Sequence, residues 1–183
     1  MSYILSRPLS LLGAVLLVAM FAAPQTASAQ LSNLQKMYVF GQLVPDIERV
    51  GVIAAASNGD DSSINRAVSS IGATLYIAEV ESRREVAPAF RELTRTHNVE
   101  SIWIVTEDEV VGQASARQFL IENTTRAGIP LLAPDASWVD EGATVSVVQT
   151  GDDIGLVVNE AVLQALSLTI PDDVMDSVQY ASN

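Results

Sequence analysis

The sequence predicts an α/β fold, a three-layer sandwich in which a mostly parallel sheet of about five strands lies between helices. Two observations predict it. From Glu48 onward, short apolar runs rich in β-branched residues alternate with longer segments whose apolar residues recur at spacings of three and four. The runs are also too continuously apolar for strands with one wet face, which implies burial on both sides.

The first run, Arg49 to Ala56, is bounded by Asn58-Gly59-Asp60-Asp61. Ser62 to Ile71 then carries Ile64, Ala67, Val68 and Ile71 on one helical face and stops at Gly72. Ala73 to Val80 is the second strand. Ser82-Arg83-Arg84-Glu85 has the form of a capping box, opening a helix to about His97 that tolerates Pro88 in or near its first turn. Residues 100 to 105 form the third strand, with Trp103 as a core residue. Thr106-Glu107-Asp108-Glu109 breaks the chain before a helix from Val111 to Ala127.

Ile129 to Ala133 is a fourth strand opened by Pro130, a residue suited to a strand start. After the loop Pro134 to Trp138 comes a fifth strand, Ala143 to Val148. Asp152 or Asp153 is expected to cap a last helix through about Leu166, burying Ile154, Val157, Val158, Ala161, Val162 and Ala165. Ahead of the α/β region at 48–168, residues 30–47 read as a helical segment. Behind it, 169–183 form an acidic tail whose last residues are expected to be loose.

Residues 1–29 read as a cleavable signal peptide. Arg7 precedes an apolar stretch from Leu9 to Ala23, and Ala27-Ser28-Ala29 offers a small-residue cut site before Gln30. The stretch is shorter than the roughly 20 residues that span a bilayer, so the expected location is the periplasm or the exterior. The chain has no cysteine, which excludes disulfides, thiolate metal sites and thiol nucleophiles. Its net charge of −12 argues against nucleic acid as a partner, because such binding draws on Lys and Arg contacts to phosphate.

In an open parallel sheet, ligands sit beyond the carboxyl ends of the strands. Those ends carry Ser57, Asn58 and Asp60, then Glu81 and Ser82, then Thr106, Glu107 and Asp108, then Asp135, Ser137 and Trp138. The rim is polar and acidic, suited to a small polar or cationic solute, with Trp138 as a stacking surface. Each of these residues also suits a turn or a cap for purely local reasons. The acid pairs Asp60-Asp61 and Asp152-Asp153 read as caps rather than metal ligands, and a lone His97 offers no metal site. Neither a nucleophile elbow nor a phosphate-binding loop occurs, so no catalytic residue, metal or cofactor is expected. An enzyme would need an acid pair such as Glu107 and Asp108 to act together.

Several stretches carry a resemblance. Pro45-Asp46-Ile47-Glu48-Arg49-Val50-Gly51-Val52-Ile53, Val99 to Val105, Gly128 to Ala133, Ser137 to Ala143, Asp152-Asp153-Ile154-Gly155 and Ile170-Pro171 resemble the second half of ABC-transporter substrate-binding proteins of the type 1 periplasmic-binding fold. The resemblance implies a flavodoxin-like lobe of a two-lobed clamp that closes on a small solute, such as an amino acid, and delivers it to a membrane permease. It also implies ligand contacts from the strand-end positions Asn58, Thr106, Asp108, Asp135 and Ser137. One lobe encloses only one side of a ligand, so a homodimer or docking on a permease, receptor or sensor protein is an expected way to complete the site. The alternative is a structural or regulatory module of periplasmic transport or signalling with no solute of its own.

Overall fold

A computed structural model describes residues 31–56, 61–151, 153–172 and 174–181. The expected signal peptide therefore lies outside the described residues. Seven strands form one sheet in the order β2-β1-β3-β4-β5-β6-β7. They are β1 (Arg49–Ala55), β2 (Thr74–Val80), β3 (Ser101–Trp103), β4 (Leu131–Ala133), β5 (Val145–Thr150), β6 (Asp153–Val158) and β7 (Val178–Tyr180). All neighbours pair in parallel except β5 with β6. The helices are α1 (Asn33–Leu43), α2 (Asp61–Ser70), α3 (Arg83–Arg95), α4 (Ala114–Ala127), α5 (Ala136–Asp140) and α6 (Glu160–Ala165).

Alternating side chains send the two halves of the core to opposite faces of the sheet. Ile53, Ile102 and Leu131 meet Phe90 and Leu93 of α3, Leu120 of α4 and Trp138 of α5. Val50, Val52, Trp103 and Leu132 meet Met37 and Phe40 of α1, Val68 of α2 and Leu163 of α6. This is the expected sandwich, with β1 and β3 buried on both sides. Gly51 lets α3 approach β1, since a Cβ there would stand 2.9 Å from Ile102 Cδ1 and 3.2 Å from Leu93 Cδ1.

The sheet has seven strands rather than about five, and the largest departure follows β5. Residues expected to open the last helix instead form β6, which runs back antiparallel to β5 from Thr150↔Asp153 to Val145↔Val158. Gly151, at φ 66°, makes the tight hairpin possible. Ile154, Val157 and Val158 satisfy a helical spacing, but Gly155 and the β-branched residues favour a strand. Only α6 remains helical, capped where Val162 N–H donates to Asn159 Oδ1 at 3.1 Å. The tail supplies β7, paired with β6.

Smaller differences have local causes. Pro88 stands inside α3, in its second turn, rather than in the first. The Ser82 hydroxyl does not cap α3; it donates to Glu85 Oε1, while Glu85 Oε2 accepts from Glu81 N–H at 2.8 Å. At α1 the full capping box does form, between Ser32 and Gln35. Helix α4 starts at Ala114 instead of Val111, because Asp108 holds residues 108–112 in a tight turn.

Candidate functional site

The carboxyl ends of β3 and β4 open onto a cleft of about 690 Å³. Its walls come from the first turns of α1 and α2, the β3–α4 loop and the β4–α5 loop. This is the place an open parallel sheet offers to ligands, beyond the strand ends where the chain turns from β1 toward its two neighbours. Asn33 Nδ2 donates to Ser63 Oγ at 3.0 Å and ties α1 to α2 at the cleft wall. Lys36, Thr106 and Asp135 line the opening.

Lys36 is the one lysine of the sequence and the cation of the cleft. Burial pushes its pKa below the ordinary lysine value of 10.5, and the charge of Asp135 opposes that shift. Asp135 also caps α5, with Oδ1 accepting from the Ser137 N–H at 2.8 Å and the Ser137 hydroxyl at 2.6 Å. One oxygen of this carboxylate is thereby engaged in the cap. The cleft thus carries both signs of charge, Lys36 from α1 and the acids Glu107 and Asp135 from the two loops.

Behind the rim, Arg117 of α4 joins three segments. Its Nη2 donates to Ser137 Oγ at 2.8 Å, its guanidinium lies 5.0 Å from the Trp138 ring centre, and Nη1 stands 3.6 Å from Glu107 Oε2. Glu141 Oε2 lies 2.7 Å from Arg117 Nε, a charge contact off the N–H axis rather than a linear hydrogen bond. Trp138 Nε1 completes the set by donating to Glu107 Oε2 at 2.9 Å. A buried guanidinium needs such partners, since an unpaired one would carry a large desolvation cost.

The expected site residues separate into distinct groups. Thr106 and Asp135 reach the cleft, and Asn58 lies outside the described residues. Asp108 is a clamp rather than a free ligand: Oδ1 accepts the amides of Val110 and Val111, and Oδ2 accepts the amide of Ala55, each at 2.8 Å. Ser137 is exposed, but its hydroxyl is shared between Asp135 and Arg117. Trp138 is fully buried under Arg117, so it supplies no stacking surface at the rim. Sequence reasoning missed Lys36 and Arg117. Their signals were present: a sole lysine, and a charge on the α4 face that also buries Leu120, Ile121 and Thr124.

Among the described residues, no group of three or more His, Cys, Asp or Glu could hold a metal ion, and no helix is long and apolar enough to cross a membrane.

Solved structures share the fold. The ABC domain in complex with L-Trp from Streptococcus pneumonia matches with a TM-score of 0.69 at 18% identity, covering 82% of this chain and 60% of that one. A conserved domain protein from Vibrio cholerae matches at 0.68 and 19%, covering 84% and 61%. The ligand-free, open form of a substrate binding protein with adhesive properties from Clostridium difficile matches at 0.68 and 18%, covering 84% and 60%. The chain therefore spans about 60% of the length of the solved proteins it matches. A search of curated proteins returned no match. The sequence profile of the ABC transporter substrate binding protein matches residues 11–183, nearly the whole sequence, and on that ground the chain belongs to this family.

Proposed function

We propose that this chain is an exported, non-enzymatic solute-binding protein that captures a small zwitterionic solute of amino-acid size and presents it to a membrane permease. The observation that carries this reading is the presence of Lys36 and Asp135, opposite charges, in the lining of one cleft at the strand ends. A solute with a carboxylate and an ammonium group finds a counter-charge for each, and the first turns of α1 and α2 add the positive ends of their dipoles. Leu31, Ile64, Val105 and Pro134 supply apolar wall for the rest of the solute. The bound L-Trp in a structural neighbour supports the ligand class.

Thermal shift of the purified protein against amino acids, amines, nucleosides and sugars tests the proposal. Stabilisation by at least one amino acid is expected; no stabilisation by any of these classes rejects it. Export is tested by mass spectrometry of the protein recovered outside the cytoplasm, where the first residue is expected to be Gln30.

A second reading has its own observation. On α1, beside the cleft, Leu34 is 44% and Tyr38 58% exposed, an apolar strip in need of a cover. That strip suits a protein partner such as a permease, receptor or sensor, and makes the chain an interaction module. Recovery of a stoichiometric partner that Tyr38→Glu releases, with no response to any solute, would favour this reading over capture.

A further inference from the structure

We propose that two copies of this chain associate by seating the acidic turn at Met175 of each copy in a basic, aromatic groove between α3 and α4 of the other. The groove has a volume of about 530 Å³ and lies on the face away from α1 and α2. Its floor holds Phe90 and Phe119, packed edge to face with ring centres 5.9 Å apart at 89°. Arg91, Arg95 and Arg126 stand around it. Half of the chain's ten Lys and Arg lie on these two helices in exposed positions: these three together with Arg83 and Arg84.

Concentrating cations on one face of a chain with net charge −12 is a recognition signal, because the rest of the surface repels the anions this face attracts. Of the three acids on these helices, two already accept hydrogen bonds. Glu85 binds the start of α3, Glu92 stands 3.9 Å from His97, and Glu122 accepts from Gln118. Arg91 and Arg95 have no ion pair or hydrogen bond from their guanidinium groups among the described residues. The groove is open along its length, so a small molecule would leave much of its surface wet, whereas a protruding protein segment can fill it.

The matching segment is in the chain itself. A 3-10 turn, Met175–Ser177, leads into β7. Met175 is 51% exposed and is flanked by exposed Asp172 and Asp176. One apolar side chain between two carboxylates complements a Phe floor ringed by guanidinium groups. The turn cannot reach its own groove. It sits at the edge strand β7, four strand spacings or about 19 Å from β3, and Val174 and Val178 pack on the opposite face of the sheet. Only a second copy can bring the two together, and a reciprocal exchange satisfies a two-fold axis and closes as a dimer.

The test uses sedimentation equilibrium on the purified chain, from about 1 to about 100 µM. The wild type is expected to reach twice the monomer mass, with weaker association at high salt. Arg91→Glu with Arg95→Glu, and separately Asp172→Arg with Asp176→Arg, are each expected to raise the dimer Kd about tenfold or more. An equimolar mixture of the two variants restores the dimer, since each reversed groove then meets a reversed turn. All changed residues are exposed, and circular dichroism checks that the fold is kept. A wild type that stays monomeric throughout, reversals that leave the dimer intact, or a mixture that fails to associate would each overturn the proposal.

Discussion

The carboxylate of Asp108 accepts the backbone N–H of Ala55 at 2.8 Å across a sequence separation of 53 residues. Its other oxygen holds Val110 and Val111, so a single side chain fastens the end of β1 to the loop that follows β3. A residue at the strand-end rim thus serves the rim's shape. Asp108→Ala leaves three part-buried amides without acceptors and is expected to cost about 2–3 kcal/mol by urea denaturation. If Asp108 were instead a free ligand, the same change would abolish solute binding with stability unchanged.

Lys36 is expected to trade stability for binding. Burial holds its pKa below 10.5, so near neutrality the charged amine is less favoured in the folded state than in the unfolded chain. The folded protein then binds fewer protons than the unfolded chain between the lowered pKa and 10.5, and stability attributable to this group rises with pH across that window. Lys36→Met should therefore raise the melting temperature at pH 7. The advantage should shrink as the pH climbs toward 10.5. The variant should also lose solute binding.

Arg117 should be costly to neutralise. Arg117→Met preserves the packing against Trp138 but removes the donor to Ser137 and the cation beside the half-exposed Glu107 and Glu141, with an expected loss of about 1–2 kcal/mol. Replacing Glu107 with Gln as well should recover part of that loss, because the indole N–H of Trp138 keeps an acceptor. A fully additive double variant would contradict the network.

At the start of α3, the Glu81 N–H donating to Glu85, helped by the Ser82 hydroxyl, holds the Glu85 carboxyl below its usual 4.5. A lowered acid stabilises the fold above the ordinary glutamate range, and that contribution fades as pH falls through the folded-state value. Amide protection factors at the start of α3, which divide out the intrinsic pH dependence of exchange, should fall in that acid window. In Glu85→Gln they should be low on both sides of it.

The parts of the fold that were legible in the sequence are those where one pattern had one meaning. The run Val50 to Ala55 had no polar face, so a doubly buried strand was its only reading, and Trp103 fell into the core with β3. Residues 153–158 were ambiguous because Ile154, Val157 and Val158 fit both a helix face and a strand; the decisive feature, a hairpin at Gly151, is a backbone property. Rim position located Thr106 and Asp135 but could not distinguish an exposed ring from a covered one, which depends on Arg117 lying over Trp138 from another helix. Lys36 was missed for a related reason: α1 precedes the sheet in sequence, and only packing carries its first turns to the strand ends.

Isothermal titration calorimetry with L-tryptophan and other amino acids, on the wild type, Lys36→Met and Asp135→Asn, tests the central claim most directly. Saturable one-site binding to the wild type, lost in Lys36→Met and weakened in Asp135→Asn, is the predicted result. Equal affinity in all three proteins, or no heat of binding from any amino acid, would contradict capture at the Lys36–Asp135 cleft.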